Sequence, residues 1–418
     1  ASDVYKRQRD NYLDINKIVK NKKFFKLFQA VEEHGGALRF VGGAVRDALT
    51  GSEGFDLDLA TDLSPEELVE ACDEHNLKTV PIGIKFGTVG VVIDNNVLEV
   101  TSLRKDVKTD GRHAVVEFTT DWEIDASRRD LTINAVYADE KGNVFDYYNG
   151  IDDLEKGVVR FIGSPAQRIK EDYLRILRFF RFYSLFAKTP IDKKALAACA
   201  ENKDGLKTLS MERIRDELFK ILLTPKAGAT IKIMAENDIL GYVLPTPKEE
   251  NIESLNFLIE NVNLGVLPYD PVRRMFILYT PDENLAENLA NRMKFSKKQK
   301  QDFVEWARIQ VSLDDFIIPQ ELKKMIYLYG KDFAMNKLLI EQSLQRRVIT
   351  TSKDIIKNIE ETEIPVFPLK GRDIISAGVK DNRHIGDILD SLEQMWVNSD
   401  FSLSKDQLLA HLPELKTA

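Results

Sequence analysis

Cysteine is scarce in this chain of 418 residues: Cys72 and Cys199 stand far apart and no Cys-x-x-Cys occurs. A disulfide scaffold and a cysteine-rich zinc module are thereby excluded, and a reducing compartment is expected. Histidine is sparse too. None of His34, His75, His113, His384 and His411 is followed by Asp or spaced from another as a metal pair, so neither zinc nor an appended His-Asp phosphohydrolase module is expected. His113 is assigned to a loop and the other four to structural or exposed roles. No apolar run approaches the ~18 residues that cross a bilayer, so no membrane partner is expected. Nor is positive charge in excess. Lys and Arg number 59 against 67 Asp and Glu, a net −8, which excludes a uniformly basic nucleic-acid wrapper but not a local basic groove. What is present, 43% hydrophobic and 30% charged residues, describes a soluble globular chain. At ~100–200 residues per domain it holds two to four domains. The opening ten residues are basic but include Asp3 and Asp10, which reads against a transit peptide. The expected setting is cytoplasmic, or mitochondrial if a targeting segment has been removed.

Two textures follow one another. A leading helix is expected around Phe24–Val31. Leu38–Val41 then reads as a strand, Gly42-Gly43 as a turn, and Ala44–Thr50 as a helix closed by Gly51. Phe55–Ala60 alternates apolar and acidic residues, as a half-buried strand does. Gly87–Ile93 and Val97–Leu103 are strands joined by the turn-forming Asp94-Asn95-Asn96, and Val115–Phe118 and Val144–Tyr147 add two more. After Arg160 the strand signals stop. Ser164-Pro165 starts a helix, and helical spacing runs from there to the end.

Asp56-Leu57-Asp58 carries the first chemical argument. On a strand, residues i and i+2 share a face, so both carboxylates converge with Leu57 behind them. Paired carboxylates repel unless a cation sits between them. Mg2+ takes oxygen ligands and sits between carboxylates and substrate phosphates. Two such ions ~3.5–4 Å apart activate a hydroxyl and stabilise leaving pyrophosphate. Alone, Asp-x-Asp reads as a solvated turn. Here Gly42-Gly43 precedes it by one helix, where backbone N–H groups and a helix N-terminus suit a triphosphate. Arg46, one turn in, reaches the same phosphates. Glu99, flanked by Leu98 and Val100, is a third candidate carboxylate, for a metal or for the proton of an attacking hydroxyl. The combination points to nucleotidyl transfer.

Gly42-Gly43-Ala44-Val45-Arg46-Asp47 followed by Asp56-Leu57-Asp58 resembles the first motif of the DNA polymerase beta superfamily, and in particular of the class II tRNA nucleotidyltransferases, the CCA-adding enzymes. Arg128-Arg129-Asp130 with Leu131–Ala135 resembles the second motif. Asp146 through Asn149-Gly150 to Asp153-Leu154 resembles the third, Glu171-Asp172-Tyr173-Leu174-Arg175 the fourth and Arg213–Leu222 the fifth. The C-terminal part is similar more loosely, through Leu369–Asp373, Gly378, His384–Gly386 and Trp396. The resemblance implies an α+β chain. A polymerase-beta-like head with a small mixed or antiparallel sheet (24–161) precedes an all-α neck (162–226), body (227–312) and tRNA-binding tail (313–418).

It further implies that Asp56 and Asp58 bind the catalytic Mg2+, and that Gly43, Arg46 and Arg129 hold the triphosphate and sugar while Arg128 and Asp130 support them. Asp172 and Arg175 would serve as an amino-acid template. Three residues apart on a helix they share a face, and Asp accepts where Arg donates. Together they imitate a Watson–Crick edge that takes CTP or ATP and rejects UTP and GTP. Arg178 and Arg181 continue the stripe without matching acids, which implies nucleotide phosphate or pairing inside the pocket. Ile169, Tyr173, Ile176, Leu177 and Phe180 form the buried face. The polar run Arg104–His113, with Gly111, is expected to be a mobile loop and resembles the one that switches family members from C to A addition. One departure is Phe86 in Lys85-Phe86-Gly87-Thr88, where the family often has His.

The function implied is template-independent CCA addition to tRNA. An A-adding tRNA enzyme or a poly(A) polymerase is the alternative within the same chemistry, and an inactive RNA-binding protein is the alternative of another class. Basic runs at Lys297–Lys300, Lys323-Lys324 and Arg346-Arg347 read as solvated faces or contacts to the tRNA backbone.

Overall fold

The computed structural model describes residues 13–14, 24–51, 57–109, 114–261, 269–349, 352–379 and 384–415. Contacts divide the chain into two units that meet at Thr246 and Pro247.

The first unit opens with α1 (Phe25–Glu33), followed by β1 (Leu38–Val41), α2 (Gly43–Thr50), β2 (Asp58–Thr61), α3 (Pro65–Glu74) and β3 (Lys78–Gly83). Then come β4 (Thr88–Ile93), β5 (Asn96–Ser102), β6 (Arg104–Thr109), β7 (Ala114–Phe118), α4 (Trp122–Ser127), β8 (Val136–Ala138), β9 (Val144–Asp146) and α5 (Gly150–Lys156). Seven strands form one sheet in the order β3-β4-β5-β2-β1-β8-β9. Only the β2–β5 pair is parallel; the other neighbours are antiparallel. β6 and β7 form a separate hairpin.

Alternation along the strands decides which side is packed. Leu59, Val89, Val91, Leu98 and Val100 face a core with Leu27, Phe28 and Val31 of α1 and Leu68 and Ala71 of α3. The opposite face carries Ala60, Leu103, Trp122 and Tyr137 as a second cluster. The polar residues Asp58 and Glu99 are exposed. Burying an aliphatic side chain contributes about 1.5–3 kcal/mol, so a one-residue slip of β2 or β5 exchanges core for water along the strand. The turn between β4 and β5 holds Asp94 and Asn95 at positive φ.

After Arg160 the first unit is helical: α6 (Pro165–Glu171), α7 (Leu174–Phe186), α8 (Lys193–Glu201), α9 (Met211–Leu222) and α10 (Ala227–Glu236). Ile169, Ile176, Leu177, Phe179 and Phe180 are fully buried, while Tyr173 is half-buried. Both cysteines are buried and free. Burial pushes the Cys72 thiol up to about 11 and that of Cys199 higher still.

The second unit is helical from Glu249 to Leu415 among its described residues. Of the loosely matching C-terminal residues, Leu369 and Ile385 pack in one cluster with Trp396, together with Ile374, Ile388, Leu392 and Leu408. Asp373 accepts from the Lys370 amide at 2.8 Å and from Lys405 at 2.7 Å.

Several expectations need correction. The strand expected over Phe55–Ala60 is described only as Asp58–Thr61; Phe55 and Asp56 lie outside the described residues. The run expected as a loop from Arg104 is largely strand β6, paired with β7, while Gly111 and His113 lie outside the described residues. α3, β3 and β8 were not anticipated. α3 carries a legible signal, the capping box of Ser64 and Glu67 with Pro65 at its first turn.

Candidate active site

The candidate site starts from two exposed residues on adjacent strands of the sheet. Asp58 of β2 stands in register with Glu99 of β5 across the parallel pair. Two carboxylates side by side on adjacent strands are an oxygen donor set suited to a hard cation. Leu57 packs against the α1–α3 core, as a residue alternating with Asp58 must.

β1 leads into the glycine turn. Gly42 has φ +62° and ψ −115°, which an L-residue resists. A Cβ there would also lie 3.5 Å from the Asn134 carbonyl and 3.6 Å from Arg129 Nη1. Gly43 then opens α2. Arg46 is buried, donating to Asn134 Oδ1 at 2.5 Å and to Asp47 at 2.8 Å.

Arg128, Arg129 and Asp130 follow α4; the two arginines share one carboxylate and Asp130 has a partner of its own. Asp125, 1% exposed, accepts from Arg128 Nε on Oδ1 at 2.9 Å and from Arg129 Nη2 on Oδ2 at 3.1 Å. The Tyr137 hydroxyl donates to Asp125 Oδ2 at 2.8 Å and accepts from Arg129 Nε at 3.2 Å. Burial by itself raises the Asp125 carboxyl. The guanidiniums of Arg129 and Arg128, with the Tyr137 hydroxyl, outweigh it and hold the group down at about 2. Asp130 is likewise opposed by burial and carried well below the carboxylate range by Arg178 and Asn134. Its Oδ2 accepts from Arg178 Nε at 2.6 Å. Asp153, of the third motif, accepts from Thr132 at 2.6 Å and Arg160 at 2.7 Å, and Asp146 caps α5 through the Gly150 and Ile151 amides.

The fourth motif departs from its expected geometry. Asp172 and Arg175 do not share one helical face: α6 stops at Glu171 and Asp172 is extended, at φ −154° and ψ 111°. Its Oδ1 accepts from the Leu174 amide at 3.1 Å and its Oδ2 from Arg213 of α9 at 2.7 Å. Arg175 pairs with Glu171 and donates to the carbonyls of Arg168 at 2.9 Å and Arg128 at 3.0 Å. Two of its five N–H donors remain without a partner among the described residues.

Arg178 and Arg181 were expected to lack matching acids, and this too is corrected. Arg178 pairs with Asp130, and Arg181 with the buried Glu217 at 3.0 Å. Both acids come from distant sequence, so spacing within the helix did not reveal them. Arg181, Arg46 and Arg178 also surround the Phe182 ring, at 4.4, 4.9 and 5.5 Å from its centre. Burial pulls Arg181 below the usual guanidinium value.

Reading the sequence missed Asp125, Asn134, Tyr137, Arg213 and Glu217. Asn134 lies within the second motif and Arg213 and Glu217 within the fifth, but their roles, like those of Asp125 and Tyr137, depend on partners brought in by the fold. The basic runs of the second unit largely find acids nearby, Lys300 with Glu287, Lys324 with Glu321 and Arg346 with Glu253.

Residues 38–160 match the family model described as the poly A polymerase head domain, and residues 190–250 one described as a probable RNA and SrmB-binding site of polymerase A. The fold is similar to that of the Bacillus stearothermophilus CCA-adding enzyme in complex with CTP, with a TM-score of 0.79 at 24% identity over 95% of this chain and 98% of that one. It is also similar to the Thermotoga maritima CCA-adding enzyme complexed with tRNA, with a TM-score of 0.65 at 20% identity over 97% of this chain and 100% of that one. The sequence is 26% identical to a CCA-adding enzyme of Staphylococcus epidermidis over 92% of this chain and 95% of that protein. It is 36% identical to mitochondrial CCA tRNA nucleotidyltransferase 1 of Homo sapiens over 90% of this chain and 86% of that protein. Identity at that level along nearly the whole length, on the matching fold, means that the chain belongs to the class II tRNA nucleotidyltransferases, the CCA-adding enzymes.

Proposed function

We propose that this chain adds CCA to tRNA 3′ ends from CTP and ATP, choosing the base with amino acids in place of a nucleic acid template. The observation that carries the reading is the segment Ser127–Asp130. On one side Arg129 Nη1 approaches the Gly42 turn. On the other, Arg168 and Arg175 donate to the Ser127 and Arg128 carbonyls, both at 3.0 Å. The arginine proposed for the triphosphate thus lies within the same four residues that the one proposed to read the base contacts, which supports this reading.

Nucleotidyl transfer in this family uses a divalent cation. For this chain we assign Mg2+ to Asp56 and Asp58; the carboxylate pair of Asp58 and Glu99 fits such an ion. When bound, it neutralises charge on the triphosphate and acidifies the attacking hydroxyl. The RNA 3′-oxygen attacks the α-phosphorus, its proton passes to Glu99, and the bond to the leaving pyrophosphate breaks. Gly43, Arg46 and Arg129 face the triphosphate, with Arg178 and Arg181, paired to Asp130 and Glu217, bracing the pocket behind them. Asp172 accepts from the amino group of cytosine or adenine, and the two remaining donors of Arg175 face the ring acceptors.

The four-part division at residues 161, 226 and 312 is proposed as head, neck, body and tRNA-binding tail. The Homo sapiens relative is named mitochondrial, and we extend that location to this chain in preference to a cytoplasmic one. Among the described residues no helix is long and apolar enough to cross a membrane.

The test is single-nucleotide extension of tRNA transcripts ending before the first C, after it and after the second C. C on the first two and A on the third is expected. A on the third alone would make this an A-adding enzyme, unlimited A on unrelated RNA a poly(A) polymerase, and no extension an inactive RNA-binding protein.

A further inference from the structure

Three parts of the head converge on one buried carboxylate. Asp125 Oδ1 accepts from the backbone amide of Arg104, the first residue of β6, at 3.3 Å, besides Arg128. Its Oδ2 accepts from Arg129 and Tyr137. The β6–β7 hairpin is rooted here from its other strand as well. The Thr119 amide donates to the Leu103 carbonyl at 3.0 Å, and the chain then runs straight through α4 into Arg128 and Arg129. Asp121 caps that six-residue helix through the Glu123 and Ile124 amides.

Charge gives the arrangement a direction. One carboxylate, 1% exposed, is shared by two guanidiniums. The cluster therefore keeps a net positive charge, and Arg129 Nη1 lies toward the Gly42 turn. Both tied nitrogens of Arg129, Nε and Nη2, are on the side away from that turn's approach. Only an ionised group at position 125 holds both arginines and the hairpin root together.

We propose that Asp125 is a positioning residue that aims Arg129 at the nucleotide triphosphate and ties the root of the β6–β7 hairpin to it, so that nucleotide binding and the hairpin are coupled through one carboxylate. The proposal rests on the reading that Arg129 faces the triphosphate. Its consequence for the reaction is that the hairpin root senses an occupied triphosphate subsite through Asp125.

The test is Asp125→Asn, with three measurements: CTP and ATP affinity by calorimetry on tRNA-free enzyme, tRNA affinity, and hydrogen exchange over 104–109 and 114–118. A charged hydrogen bond lost between these groups predicts that CTP and ATP affinity fall together by about tenfold to a hundredfold. tRNA affinity stays within about twofold, because phosphate contacts spread over the tRNA carry it. Exchange in the hairpin quickens, and CTP slows it in the wild type but not in the variant. A folded variant with unchanged CTP and ATP affinity overturns the proposal, as does unchanged hairpin exchange. Should Asp125→Asn fail to fold, Tyr137→Phe decides. It removes one tie to Arg129 and keeps the ring against Trp122. A loss of about fourfold to twelvefold in CTP affinity is expected, half a typical charged hydrogen bond, and no loss overturns the proposal. A wild type that bound neither nucleotide would sink the functional reading, and the nucleotide-free hairpin exchange would then judge the tie by itself.

Discussion

Asp58 is exposed at the start of β2, in register with Glu99. Little of the core depends on it, so its removal separates chemistry from folding. Asp58→Ala is expected to lower C and A addition by at least about a thousandfold, the scale of losing a metal-borne step, with tRNA affinity intact in a gel-shift titration. Asp172 behaves differently because its two oxygens already serve the Leu174 amide and Arg213. Asp172→Asn keeps the cap through the amide oxygen and turns a donor toward the base. UTP incorporation relative to CTP should rise about tenfold, one hydrogen bond's worth of discrimination, in single-turnover extension. An unchanged CTP-to-UTP ratio would remove Asp172 from the template. These two residues were legible in the sequence because an ordered set of motifs surrounds them. Their geometry was not. The break at Asp172 carries no glycine or proline, and the carboxylate there is shared between the Leu174 amide and Arg213, forty-one residues on. Asp125 left no local mark at all, since an acid two residues after Glu123 reads as an ordinary helix surface until the fold buries it.

Elements were readable where their signals are local. β1, β4, β5 and α2 follow from alternation, from the Asp94-Asn95 turn and from Gly51, whose φ of 73° closes α2. β3 was hidden by Pro81, tolerated because this strand lies at the sheet edge. β8 is too short, at three residues, for any period to show. The junction of α5 with the second motif has the tightest fit in the head. A Cβ on Gly150 would stand 2.2 Å from the Thr132 carbonyl oxygen, a backbone atom that cannot turn aside. Gly150→Ala should therefore shift α5 and destabilise the protein by about 1–3 kcal/mol. The shift passes to Asp153, whose carboxylate holds Thr132, so a lowered melting temperature should be accompanied by slower C addition. Full activity at the lower melting temperature would show that α5 only supports the sheet.

At the scale of the whole molecule, the arginine network links stability to pH. Asp125 is held at about 2, and Asp130 lies below the carboxylate range. Their unfolded values are about 3.9. Folded carboxyls that release protons more readily than unfolded ones contribute stability above the unfolded value, and that contribution disappears as pH falls through the folded one. The melting temperature should therefore drop as pH is lowered from about 5 toward about 2, with Asp125 alone accounting for on the order of 2 kcal/mol. Asp125→Asn should be less stable at neutral pH and show a shallower acid slope in scanning calorimetry. An unchanged slope would mean that the Arg128 and Arg129 pairings are not what depresses this carboxyl.

The two buried thiols offer a clock. Cys72 lies in α3 beneath the sheet and Cys199 in α8 among the neck helices, both 0% exposed. A thiol reagent reaches neither until its own layer opens, and burial, by raising both thiol pKa values, keeps stray modification slow. Labelling each site over time, resolved by peptide mass, would report how often the layer of α3 and the layer of α8 open. Adding CTP would then show whether a bound nucleotide latches both layers or only one.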